Sequence, residues 1–326
     1  MTFYNTSNPS DPFQAFKELS ALQILVTWGC NARCVMCDIW RDDRVDMDPS
    51  IIDKLSLMVG KLKYVSITGG EVTQHRNRKE IVGKILSLGA EQTLMITNAF
   101  LVDRVVDLAE TYPTLDICVS YDGIRTHSVT RGVKTADAKV RECMERLSKL
   151  ERSGKHFISY TAMKENQDQL WETYEFAKTL GFSLYFRSVE SNQLYGKYEY
   201  RLEGTALEDV KRLRDEVFKD DPIQYDYLTG FIDGTTDMEC TASKRFAYVM
   251  PNGEIKPCLT ITDTIGTIDT GLTTQIENCS KGCWMDCYAY DNLSHAMILK
   301  GIVPPDSSLY ESGAYKDKIA NAKSSS

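Results

Sequence analysis

The chain has 326 residues, 42% of them apolar, and a formal net charge of −8. That length suits one large domain plus a smaller module, and the acidic balance argues against a nucleic-acid partner. No apolar run reaches the roughly 18 residues that span a bilayer, and the first residues lack the charged start and apolar stretch of a signal peptide. The ten cysteines therefore point to metal ligation in a reducing cytoplasm rather than to disulfides.

Residues 1–20 read as an N-terminal extension. Strand-like apolar runs follow at 22–28, 64–68, 93–97, 115–121, 157–163 and 182–187. Helical-period stretches lie between them at 51–59, 80–88, 102–110, 136–150 and 170–180. Asp48 can cap the first of these helices, with Pro49 at N1 where its missing N–H costs nothing. Gly89 and Gly181 follow helices, as C′ glycines do. Strand–helix alternation predicts a parallel sheet with right-handed crossovers. Six such units over 21–188 make a partial (β/α)6 TIM-like barrel, although periodicity alone also fits a doubly wound sheet. Residues 189–239 are less regular and read as a bridge or lid, with a helix at 205–218. A second cysteine-rich stretch occupies 240–300 as a small C-terminal module, and 301–326 reads as a surface tail.

The first apolar run is followed by Cys30-Asn-Ala-Arg-Cys34-Val-Met-Cys37. Three thiolates at this spacing can ligate three irons of one [4Fe-4S] cube and leave the fourth iron open, whereas clusters are normally held by four Cys. Zinc is the alternative, but it needs four ligands in a closed site, and no fourth Cys or His lies nearby. A loop after a strand is where α/β proteins place chemistry.

With Met36 before the third cysteine and Thr68-Gly69-Gly70-Glu71 downstream, this run resembles the radical S-adenosylmethionine (SAM) enzymes. The resemblance implies that SAM chelates the open iron and is cleaved reductively to a 5′-deoxyadenosyl radical. It also implies a low-potential electron donor such as a flavodoxin or ferredoxin. Met36 would pack near the adenine. Gly69 and Gly70 would bond the methionine amino group through their backbone, with Glu71 helping to hold that ammonium. Thr97 and Asn98 stand where family members contact SAM. Ser120-Tyr121-Asp122-Gly123 resembles the Ser-x-Asp-Gly of peptide-modifying members, making Ser120 a ribose or carboxylate contact. Asp122 could bind substrate at the barrel mouth or form an Asx turn. Arg131 could pair with the SAM carboxylate or be a surface arginine. Arg187 and Glu190 would offer polar handles to substrate or close the barrel edge as an ion pair. Asn166 reads as a helix cap, and Cys118 and Cys143 as core thiols.

Further on, Cys240 is followed by Gly253, Cys258 and then Cys279-Ser-Lys-Gly-Cys283-Trp-Met-Asp-Cys287. This resembles the auxiliary-cluster modules called SPASM and twitch, with a hairpin at Met250-Pro-Asn-Gly253-Glu. The shorter twitch-like form implies one auxiliary [4Fe-4S] cluster on Cys240, Cys258 and two of Cys279, Cys283 and Cys287. Structural zinc on four of these thiols is the alternative.

The expected reaction is hydrogen abstraction from a small polar substrate of the sugar, cyclitol or nucleoside type. The auxiliary cluster would support oxidation or redox-neutral decarboxylation or epimerisation. The alternatives are a maturase of a ribosomally made precursor peptide and a non-catalytic iron–sulfur scaffold.

Overall fold

The computed structural model describes residues 4–189, 207–233, 240–261 and 263–279. The chain opens with strand β1 (Tyr4–Ser7) and helix α1 (Pro12–Lys17). Asp11 caps α1 by accepting from the N–H groups of Phe13 and Gln14, and Pro12 stands at N1. Strand and helix then alternate: β2 (Ala21–Leu25), α2 (Pro49–Met58), β3 (Tyr64–Thr68), α3 (Arg78–Leu86), β4 (Gln92–Thr97), α4 (Val102–Thr111) and β5 (Asp116–Ser120). A single turn α5 (His127–Thr130) precedes α6 (Ala136–Leu147), followed by β6 (His156–Ala162), α7 (Leu170–Thr179) and β7 (Ser183–Ser188). Asp48 caps α2 through the N–H of Ser50, as its place before Pro49 predicts.

The strands β2 to β7 lie side by side in chain order and every pair is parallel. This is the expected α/β core of a partial TIM-like barrel, and the sheet is open rather than closed. Its two faces differ. Registers such as Ile24 with Ile67, Ile67 with Met95 and Met95 with Ile117 define one face. That face is apolar and buried to its last residues, including Val119, Tyr160 and Phe186. It is the helix-covered side, with α6 on β5 and α7 on β6 and β7.

The other face carries Gln23 opposite Ser66 and, further along, Ser120, Ser159 and Tyr185 in one row. Its upper members Thr68, Ile96, Thr161 and Arg187 are only half-buried. This face is concave. The Tyr185 hydroxyl is pushed well up by burial, then by Tyr64, Cys118 and Asp116, with Arg187 opposing. Tyr64 belongs to β3 and Tyr185 to β7, so strands far apart in the sheet order bring their side chains together.

Beyond the core come α8 (Leu207–Arg212), which runs into a π turn at 213–217, and α9 (Pro222–Asp233). Then follow β8 (Phe246–Val249), β9 (Glu254–Lys256), β10 (Gly266–Thr267), β11 (Gly271–Leu272) and β12 (Gln275–Cys279). The expected hairpin is present as β8 and β9, paired antiparallel. It continues the core sheet, because β8 runs parallel to β2, and β9, β10 and β11 extend the same edge. The first residues return to this region, since β1 pairs antiparallel with β12 and sets Tyr4 opposite Cys279.

Strand β2 is shorter than its apolar run. After Leu25 the chain leaves the ladder to pair with a returning loop, with Trp28 N–H on Val45 O and Met47 N–H on Val26 O. No helix among the described residues is long and apolar enough to cross a membrane.

Candidate active site

The cysteine loop leaves the C-terminal end of β2. Thr27 fixes its exit by donating to Asp46 Oδ1 at 2.6 Å and accepting from the Gly29 N–H at 2.9 Å. Backbone bonds from Arg33 to Arg131 O and from Val35 to Thr130 O lay the loop against the end of α5. Met36 is buried in the same wall. The sulfurs accept bonds from different neighbours, Cys37 from the Ile39 backbone. Cys30 Sγ takes the Ala32 N–H at 3.5 Å and Asn98 Nδ2 at 3.9 Å, and Cys34 Sγ takes Arg131 Nη1 at 3.7 Å. The Trp40 indole donates to Cys37 O at 2.8 Å.

Burial pushes the Cys30 and Cys37 thiols up to about 12, and raises Cys34 against the opposing charge of Arg131. A group that draws thiolates into this wall must supply positive charge, as an iron–sulfur cluster does. Among the described residues no three His, Cys, Asp or Glu side chains converge on a single-ion site. Three thiols with N–H groups aimed at their sulfurs are a donor set that an iron–sulfur cluster takes.

The Gly-Gly stretch lies beside this loop at the end of β3. Gly70 N–H bonds Thr27 O at 2.6 Å and Glu71 N–H bonds Gly29 O at 2.8 Å. Only glycine permits this approach. Gly69 has φ +140°, and a Cβ on Gly70 would overlap Gly29 O. Glu71 is buried, and its carboxylate accepts from Thr73 N, Thr73 Oγ1, Thr97 Oγ1 and Asn98 N at 2.6 to 3.1 Å. It thus ties the ends of β3 and β4 together. Asn98 continues that tie by donating to Asn31 Oδ1 at 2.8 Å as well as to Cys30. Its link to the cysteine loop carries no sequence signal beyond its place at a strand end.

Asp122 and Arg131 form one buried pair. Asp122 is not a free carboxylate at the mouth. Its side chain is fully buried and salt-bridged to Arg131 Nε at 2.5 Å, while Oδ1 accepts the Thr161 N–H at 3.0 Å. The backbone around it is equally engaged, with its N–H on His127 Nδ1 and its carbonyl taking Asn166 Nδ2, both at 3.0 Å. Arg131 is correspondingly no surface arginine, at 12% exposure. Its pKa is driven up by Asp122 and Cys34 despite burial. Asn166 stands at the N-cap position of the short turn 167–169 that leads into α7, but its side chain makes no capping bond there. It staples the ends of β5 and β6, accepting from Met163 N and donating to Asp122 O and Thr161 O. Ser120 is buried beside them on the concave face.

Arg187 is half-buried at the upper end of that face, opposite Thr161. Glu190, Cys283 and Cys287 lie outside the described residues. Cys118 and Cys143 are core thiols, both fully buried. In the C-terminal region Cys258 is buried with its sulfur 3.1 Å from Thr260 Oγ1, while Cys240 and Cys279 are half-buried. Burial raises the Cys258 thiol, with Cys279 adding a little, and the Tyr4 hydroxyl, which bonds Asp263, is raised to about 12 by that bond first and by burial. Lower on the concave face, Gln23 Oε1 and Ser66 Oγ are buried without a hydrogen-bond partner among the described residues. Polar residues set inside apolar runs are the sequence signal for these two, and the motifs alone do not single them out.

Residues 24–177 match the model of the Radical SAM superfamily. A probable GTP 3′,8-cyclase of Methanothermobacter marburgensis is 26% identical over 275 residues, covering 78% of this chain and 88% of that one. A probable GTP 3′,8-cyclase of Metallosphaera sedula is 24% identical over 177 residues, 51% of this chain and 54% of its own. Among solved structures, histidine-tagged anSMEcpe with bound AdoMet superposes with TM-score 0.58 at 20% identity, covering 78% of each chain. Streptococcus suis SuiB bound to S-adenosylmethionine gives TM-score 0.55 at 18% identity, covering 76% of this chain and 62% of that one. The matched segment spans the cysteine loop and strands β3 to β6, so residues 24–177 carry a radical SAM domain, and the fold is shared with solved structures that hold AdoMet.

Proposed function

We propose that this enzyme acts on a small, hydroxyl-bearing polar substrate held against the concave face of the sheet. The observation that carries this reading is the contrast between the two faces. A parallel sheet buried on both sides normally reads as apolar on both. Here one face instead sets Gln23, Ser66, Ser120, Ser159 and Tyr185 under a half-open rim that includes Arg187. Buried polar atoms are almost always paired, and the Gln23 and Ser66 oxygens have no protein partner among the described residues. A ligand rich in hydroxyl or N–H groups answers that need.

In this reading Cys30, Cys34 and Cys37 hold the cluster. Met36, the Gly69-Gly70 backbone, Thr97, Asn98 and Ser120 surround SAM. Bound there, the cluster and SAM would supply radical chemistry that removes a hydrogen atom from substrate. Glu71 keeps the ends of β3 and β4 in register, so that the Gly-Gly carbonyls face an ammonium and Asn98 reaches Cys30. Arg187 orients the substrate from the rim. Cys240, Cys258 and two of Cys279, Cys283 and Cys287 hold an auxiliary cluster, with structural zinc as the competing occupant. A flavodoxin or ferredoxin supplies the electron.

The test is deuterium transfer. Reconstituted enzyme with SAM and reductant is offered deuterated polyols, nucleosides and nucleotides beside deuterated peptides, and 5′-deoxyadenosine is examined for label. GTP belongs in the first panel, because the relatives at 26% and 24% identity carry its name. Label from a hydroxyl-rich small molecule supports the reading. Label from peptides alone overturns it in favour of a precursor-peptide maturase.

A further inference from the structure

The three cluster cysteines stand in unlike surroundings. Cys30 receives neutral N–H donors, from Ala32 and Asn98. Cys34, the most buried at 8% exposure, receives a cationic one from Arg131 Nη1 at 3.7 Å. The guanidinium cannot swing freely, because Nε is committed to Asp122 at 2.5 Å and Asp122 is itself anchored by the Thr161 N–H. The Arg131 backbone is pinned to the same loop, since its carbonyl accepts from Arg33 N–H at 2.9 Å. Next to it a Cβ on Gly132 would overlap Arg33 O, so the two segments are in tight contact. The charge is thus held at one sulfur by side chain and backbone alike, in a place where water screens it little.

We propose that Arg131 is a positioning residue for the iron–sulfur cluster: clamped by Asp122, it holds a charged N–H on Cys34 and raises the potential at which that cluster accepts an electron. This rests on the assignment of Cys30, Cys34 and Cys37 as cluster ligands. Hydrogen bonds to the ligand sulfurs are among the levers that set such potentials, because a donor stabilises the more electron-rich, reduced state. The step is the addition of one electron to the cluster, delivered in the experiment by titanium(III) citrate, with no atom transferred. A pairing of Arg131 with the SAM carboxylate is a separate role and has no effect while SAM is absent.

The experiment is therefore a potentiometric titration without SAM. It follows the electron paramagnetic resonance signal that is lost in the Cys30, Cys34 and Cys37 triple Ala variant. Arg131→Gln should reduce with an equilibrium constant at least tenfold lower, about 59 mV more negative for one electron. Arg131→Lys keeps the charge in the buried pocket without the planar fork; it should fall between the two and guards against misfolding of the Gln variant. Arg125→Gln removes one positive charge from an exposed pair with Asp168 and Glu172, and should titrate with the wild type. Arg131→Gln and Arg131→Lys titrating with the wild type would overturn the proposal. A wild type with no signal of this kind would instead overturn the cluster assignment beneath it.

Discussion

Asp122 and Arg131 show how much one ion pair can organise at the scale of residues. With 0% and 12% side-chain exposure, neither charge can fall back on water if the other is lost. Breaking a buried pair costs about 3–5 kcal/mol, whereas an exposed one is worth about 0–1. Asp122→Ala should therefore cost several kcal/mol in urea unfolding, and Asp103→Ala, from the exposed pair with Arg146, almost nothing. Equal costs would mean that Asp122 is not the anchor described. His127 makes a second residue-scale prediction. Burial lowers its pKa to about 3, with Asp122 opposing and Arg131 adding to the shift. Its Nδ1 accepts the Asp122 N–H, so the folded protein holds it neutral. Between pH 6.5 and about 3 the unfolded chain binds a proton here that the folded chain does not. Stability is therefore complete above pH 6.5 and is lost as pH falls. From pH 7 to pH 5 this histidine should remove about 2 kcal/mol. Wild type should show that loss in excess of His127→Gln, and parallel curves would refute it.

At the scale of elements, the strand ends do the functional positioning. The β3 end reaches the β2 loop only because Gly69 and Gly70 lack side chains. Gly70→Ala should force the two apart by its overlap with Gly29 O, weakening SAM affinity about tenfold or more by calorimetry. Unchanged affinity would detach the Gly-Gly turn from the SAM site. Elements are legible in the sequence where local chemistry acts alone: the Asp48-Pro49 start of α2, the apolar runs of β3 and β4, and the β8 and β9 hairpin all form where the residues imply. They are illegible where a distant partner decides. β2 stops at Leu25 because the loop around Val45 captures the chain, and β1 exists by pairing with β12, some 270 residues away. Helix α1 carries the same Asp-Pro signal as α2, at Asp11 and Pro12, inside a stretch that otherwise reads only as an extension.

For the whole molecule, the family is legible because its chemistry is compressed into eight consecutive residues, Cys30 to Cys37, and one Gly-Gly turn. The electrostatics around it are not, since Asp122, Arg131 and Cys34 meet only through the folding of β5, α5 and the first loop. The C-terminal hairpin shows the same limit, because nothing in residues 246–272 announces that they extend the core sheet beside β2. A continuous sheet connects the candidate auxiliary site to the core, and Tyr4 connects it to the first strand.

The most direct test of the central claim is the iron and sulfide content, with Mössbauer spectra, of anaerobically reconstituted protein beside the Cys30, Cys34 and Cys37 triple Ala variant. The variant should lose about four irons per chain, and any iron it retains should belong to the second cysteine group. Iron content unchanged by the triple substitution would mean that the cysteine loop is not where the cluster sits.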